Sequence, residues 1–183
     1  MPAPRRFCRF RTEGRPGGDL EPLPGDGMCL STFVLLSPEG DPSRVLLGMV
    51  RPDAPGWAAA GALDLGRATK SRGRWMLPSS HLMVFESPDE AALRVLREQL
   101  GVSGATLRAP TIVSETYGRG PESGPDPHWD LHFIYRLPVP AEAPRFPSLW
   151  ERLEFVDPHT LEPSSFARSH GDILNFAGLT VGH

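Results

Sequence analysis

From Met28 onward, short apolar runs alternate with turn-rich breaks, a rhythm of strands rather than of a helical bundle. Met28–Leu36 is apolar and rich in β-formers. Pro38, Gly40 and Pro42 then turn the chain, and Arg44–Arg51 predicts a second strand. Residues 52–73 carry four glycines and two prolines, which predicts a loop, with a short helix over Ala58–Leu65 as the alternative. Arg74–Leu77 leads into Pro78, and His81–Phe85 is a further apolar stretch. Asp89–Leu100 predicts the strongest helix. Ser87 is a natural N-cap, Pro88 suits the first helical position, Glu90 completes a capping box and Gly101 supplies the stop. Leu107–Tyr117, Trp129–Leu137 and Glu151–Val156 predict three more strands, and Ser165–Gly178 a last helix. Gly118–His128 between two of those strands has the composition of a loop.

Strands interleaved with two helices predict one mixed α/β (α+β) domain over residues 28–183, which suits a chain of 183 residues. Residues 1–27 hold many prolines and glycines and no long apolar pattern, so they predict an arm, with room for a short edge strand around Phe7–Arg11. The formal net charge of −3 gives no general reason to bind nucleic acid or an anionic membrane. No apolar run approaches the roughly 20 residues that span a bilayer, and the start lacks a signal-peptide core. Cys8 and Cys29 have no metal-type or redox-type spacing, so two reduced thiols in a cytoplasmic protein are expected.

The candidate chemistry sits between Trp75 and Val102, which read WMLPSSHLMVFESPDEAALRVLREQLGV. Glu86, Arg94, Leu96, Glu98, Gly101 and Val102 fall at the intervals of G-x5-E-x7-R-E-U-x-E-E-x-G-U, where U is bulky and aliphatic. This segment resembles the Nudix box, and the order of elements around it resembles the family over roughly residues 28–178. The resemblance implies a mixed β-sheet sandwiched between helices. It also implies Mg²⁺- or Mn²⁺-dependent cleavage of a nucleoside diphosphate linked to another group.

Three positions depart from the pattern. Ser80 stands at the loop glycine, Val95 at the first glutamate of the helix and Gln99 at the last. The three glutamates of R-E-U-x-E-E lie at i, i+3 and i+4, so one helix face gathers negative charge. Here that face keeps only Glu98 charged. By the resemblance, Glu98 is the catalytic candidate, and Glu98, Gln99 and the backbone carbonyl of Ser79 are the metal-ligand candidates. Glu86, Arg94 and Gly101 take structural roles in the box, the ion pair tying loop to helix. Ala91, Ala92, Leu96 and Leu100 are core positions, which Val95 joins in the plainest account of its presence.

Outside the box, His81, Trp57 and Trp129 are ligand-binding candidates, the first near phosphates and the others by stacking on a base. Glu115, Asp130, His128 and His132 lie on or near the later strands, where many Nudix enzymes draw an extra acid. The sequence therefore leaves three readings. One is a module that binds a nucleotide derivative with weak or absent hydrolysis. Another is an active metal-dependent hydrolase with a rearranged site. The third is an interaction scaffold acting as a homodimer.

Overall fold

A computed structural model of the chain describes residues 9–10, 28–61, 63–117, 128–140 and 149–182. The expected loop at 118–128 and nearly all of the expected arm lie outside these residues. In the arm, β1 (Arg9–Phe10) pairs antiparallel with β2 (Met28–Pro38). The elements that follow are β3 (Val45–Val50), α1 (Trp57–Gly61), α2 (Leu65–Lys70), β4 (Trp75–Met76), β5 (Ser79–His81) and α3 (Pro88–Leu100). Then come β6 (Thr111–Tyr117), β7 (His128–Val139), β8 (Trp150–Val156) and α4 (His170–Phe176).

The larger sheet is mixed and ordered β1-β2-β7-β6, with β5 also paired to β2. Strands β2 and β7 run parallel from Met28↔Trp129 to Pro38↔Val139, whereas β6 and β5 are antiparallel to their partners. The smaller sheet is β4-β3-β8. Side-chain alternation along the strands divides the core in two. Phe33, Leu35, Val45, Leu47 and Ile134 pack with Ile173 and Leu174 of α4. Val34, Leu36, Leu46, Tyr135 and Leu137 pack with Ala92, Val95, Leu96 and Leu100 of α3. Mixed sheets lie between two helices, and this is the α+β arrangement expected.

Helix α3 begins and ends where its sequence demands. The Ser87 hydroxyl accepts from the Glu90 N–H while the Glu90 carboxylate accepts from the Ser87 N–H, a complete capping box. Gly101 adopts φ 68°, and Val102 N–H returns to the Leu96 carbonyl at 2.9 Å.

Other bounds differ from expectation for local reasons. Residues 52–73 hold two short helices instead of a loop or one helix. Asp64 separates them by capping α2, accepting from Arg67 N–H at 2.8 Å. Strand β6 starts only at Thr111, because Pro110 offers no N–H to a ladder. Helix α4 is shorter than Ser165–Gly178, because Arg168 and Ser169 both take φ 56°, which breaks a right-handed helix.

His170 opens α4 inside the core. Its Nδ1 accepts from the Leu77 N–H at 2.9 Å, and its ring stands edge-on to Phe33. Burial, and then the positive charge of Arg168, hold its pKa well below the ordinary value. The unfolded chain binds that proton near pH 6.5 while the folded chain does not. Stability is therefore present above about pH 6.5 and is lost as pH falls below it. His170→Asn keeps a side-chain acceptor but cannot titrate. Its stability should depend less on pH between 5 and 7 than the wild type's, by up to about one proton in urea titrations.

Candidate functional site

The loop between β5 and α3 is tied down by one buried ion pair. Arg94 meets Glu86 through two parallel bonds, Nε to Oε1 at 2.7 Å and Nη2 to Oε2 at 2.9 Å. The remaining guanidinium donors reach the carbonyls of His81 at 3.0 Å and Ala60 at 3.3 Å and the Ser80 hydroxyl at 3.2 Å. Glu86 in turn accepts from the Met83 N–H at 2.7 Å. Both side chains are almost fully buried, so this planar fork holds helix α3, strand β5 and helix α1 together.

Ser80 stands where the box carries glycine, with Ser79 before it, yet neither takes a positive φ. They lie in β5, paired with Phe33 and Thr32 of β2, in extended backbone open to any residue.

The face of α3 that would present carboxylates is closed. Val95 is fully buried in the core on that side of the sheet. Gln99 is equally buried, and its amide is saturated. Nε2 donates to the Ser79 carbonyl at 2.7 Å and to the Ala60 carbonyl at 3.0 Å, while Oε1 accepts from the Ser79 N–H at 3.2 Å. The Ser79 and Ala60 backbone oxygens are thus joined by a side-chain NH₂. The Ser79 carbonyl is near the helix, as the resemblance implied, but it faces an amide donor and not a carboxylate.

Helix α1 completes the closure. Trp57 is buried edge-on against Trp150, with ring centroids 4.7 Å apart, and its Nε1–H donates to the Leu149 carbonyl at 2.9 Å. Trp150 donates from its own Nε1 to the Gln99 carbonyl at 3.0 Å. This pair of indoles seats α1 so that Gly61 lies against the Gln99 amide. A Cβ at Gly61 would sit 3.3 Å from Gln99 Nε2. Gln99 is a buried zip between loop and helix, with its amide N–H groups on the Ser79 and Ala60 carbonyls and its oxygen on the Ser79 N–H. The structure corrects one sequence expectation here. Trp57 is a core wedge and not a stacking surface, because both faces of its indole are enclosed.

Glu98 is the one box carboxylate on that face, about a fifth exposed and 3.4 Å from Arg97. It opens onto a cleft of about 430 Å³ between α3 and the Met83–Glu86 turn. Trp129 is half-buried on β7, bonded through Nε1 to the Ser114 hydroxyl. His81 turns to the opposite sheet face, its Nδ1 3.2 Å from the Ser31 hydroxyl. On that face, register places Ser31 beside His132 and Glu115 opposite Asp130, and His132 Nε2 lies 3.1 Å from the Glu115 carboxylate. Val113, two residues from Glu115, packs into the α4-side core, so Glu115 points away from α3 and Glu98. The side chain of His128 lies outside the described residues. Among the described residues no group of three or more His, Cys, Asp or Glu gathers to hold a metal ion, and no helix is long and apolar enough to cross a membrane.

Sequence reasoning offered a short helix over Ala58–Leu65 only as an alternative and gave it no part in the site. The bond that brings α1 there joins Ala60 to Gln99, 39 positions away.

No family model matches the sequence, and no curated protein does. Solved structures do. The chain is similar to a MutT protein from Methanosarcina mazei Go1, with 14% identity and a TM-score of 0.54 over 82% of this chain and 94% of that one. It is also similar to the NUDIX domain of Shewanella oneidensis NrtR, solved in complex with ADP ribose. There the identity is 17% and the TM-score 0.51, over 83% of this chain and 87% of that one. Likeness at such low identity speaks for architecture, and together with the sheet order and the helix built on Arg94 and Glu86 it establishes that this chain has the Nudix fold.

Proposed function

We propose that the chain binds a nucleoside-diphosphate-type ligand and hydrolyses its pyrophosphate weakly or not at all. One observation carries this reading: the Gln99 amide closes directly onto the Ser79 and Ala60 carbonyls and joins helix to loop without a carboxylate. Mg²⁺ and Mn²⁺ take oxygen ligands and favour carboxylates. Val95 offers none, and the Gln99 oxygen is already bonded to the Ser79 N–H. The residues present therefore do not fit the metal that the fold family implies. No step through such an ion is derived for this chain.

The ligand class is supported by the fold and by the ADP ribose bound to the Shewanella oneidensis domain. Trp129 offers a partly accessible indole for stacking. The competing reading, hydrolysis through Glu98 and a downstream acid, needs a second carboxylate beside Glu98. Glu115 is instead held by His132 across the sheet.

The test is a panel of nucleoside diphosphate derivatives, ADP ribose included, with Mg²⁺ or Mn²⁺. Binding is followed by thermal shift, and turnover by chromatographic detection of the nucleoside monophosphate that pyrophosphate cleavage would form. The expected result is saturable stabilisation by at least one compound without turnover. Robust turnover that Glu98→Ala abolishes would overturn the reading.

A further inference from the structure

Helix α3 buries most of its surface but leaves one outer stripe, Glu90, Leu93 and Arg97, at spacings of three and four that place them on one face. Beside that stripe the Met83–Glu86 turn presents Val84 and Phe85. Phe85 is 102% exposed, and its backbone takes φ 66°, a conformation bulky side chains rarely adopt. A strained turn that holds an aromatic ring entirely in water has no explanation within one copy of the fold. Immediately next to the ring lies the cleft of about 430 Å³, with Met83, Val84 and Leu93 in its wall. It is large enough to receive one aromatic side chain.

We propose that two copies of this chain associate through the outer face of α3 and the Met83–Glu86 turn, around a two-fold axis passing at Leu93. The patch is self-complementary, which is what a two-fold interface requires. Glu90 lies three residues before Leu93 and Arg97 four residues after it. When two α3 helices cross antiparallel with Leu93 on Leu93, Glu90 of each copy faces Arg97 of the other. The same rotation carries each Phe85 toward the cleft of the opposite copy. One helix face and one turn make a small interface, so association is concentration-dependent.

Analytical ultracentrifugation of the full chain across a concentration series tests this. The expected result is a rise from the 20.0 kDa of one chain toward twice that mass. Phe85→Asp should hold the chain at the monomer mass. Glu90→Arg alone and Arg97→Glu alone should also remain monomeric, since each sets like charges face to face. An equimolar mixture of those two variants should dimerise again, because both facing pairs are then opposite in sign. This recovery in the mixture separates a broken interface from a broken fold. A wild type that stays monomeric throughout overturns the proposal, as does a dimer indifferent to Phe85→Asp or a mixture that fails to associate.

Discussion

Gln99→Glu costs about 3–5 kcal/mol of stability at pH 7 in metal-free buffer, the range for leaving a buried charge unpaired. The change removes two N–H donors and puts a carboxylate against the carbonyls of Ser79 and Ala60. Three oxygens then face one another in a fully buried position, with only the Ser79 N–H and the Arg94 guanidinium, already bonded to the Ala60 carbonyl and to Glu86, as donors beside them. Burial raises the pKa of such a carboxyl. Its protonated form is neutral and can donate again, so the loss is expected above the unfolded value near 4.3 and should fade as pH falls toward it. The same three oxygens are a hard-cation set. Millimolar Mn²⁺ or Ca²⁺ should therefore recover much of the loss in Gln99→Glu while leaving the wild type unmoved. Urea titrations with and without the ion, at pH 7 and pH 4.5, read both effects. Equal stability of variant and wild type without metal would show that the amide does not hold loop to helix.

Arg94→Ala should cost a similar 3–5 kcal/mol, by breaking a buried pair and stranding its partner. Glu86 would keep the Met83 N–H as a donor, for a carboxylate that is 7% exposed. The carbonyls of His81 and Ala60 would lose a guanidinium as well. Arg94→Lys should recover little, because one ammonium cannot span two carboxylate oxygens and two carbonyls that lie in different directions. Replacing Arg94 and Glu86 together by alanine should be less damaging than the sum of the single changes, since no charge is then left alone. Chemical denaturation of the four proteins gives the coupling directly. Additive losses would mean that the pair does not act as a unit.

The parts of this fold that were legible in sequence are those set by local rules. The capping box of Ser87 and Glu90, the stop at Gly101 and the alternation along β2 and β7 each need only a few neighbouring residues. The Nudix resemblance was legible for the same reason, since its box is a contiguous strand–loop–helix pattern. Gln99 and Val95 could be named as departures, but not what they became. The environment of Gln99 is supplied by Ala60, Trp57 and Trp150, and that of Val95 by residues of β2, β3 and β7, all of which reach α3 from distant parts of the chain. The helix that closes the site is held by an indole pair 93 positions apart in sequence, and no local signal announces it. His81 was expected near phosphates, yet strand parity turns it with Ser31 to the other side of the sheet.

The claim beneath the whole account is that side chains, and not a divalent ion, join α3 to the β5 loop. Isothermal titration of the wild-type chain with Mn²⁺, alone and with ADP ribose present, tests it most directly. The account predicts no saturable uptake up to millimolar ion by the chain alone, and none beyond that of free ADP ribose when the ligand is present. A stoichiometric Mn²⁺ site that disappears in Glu98→Ala would contradict it.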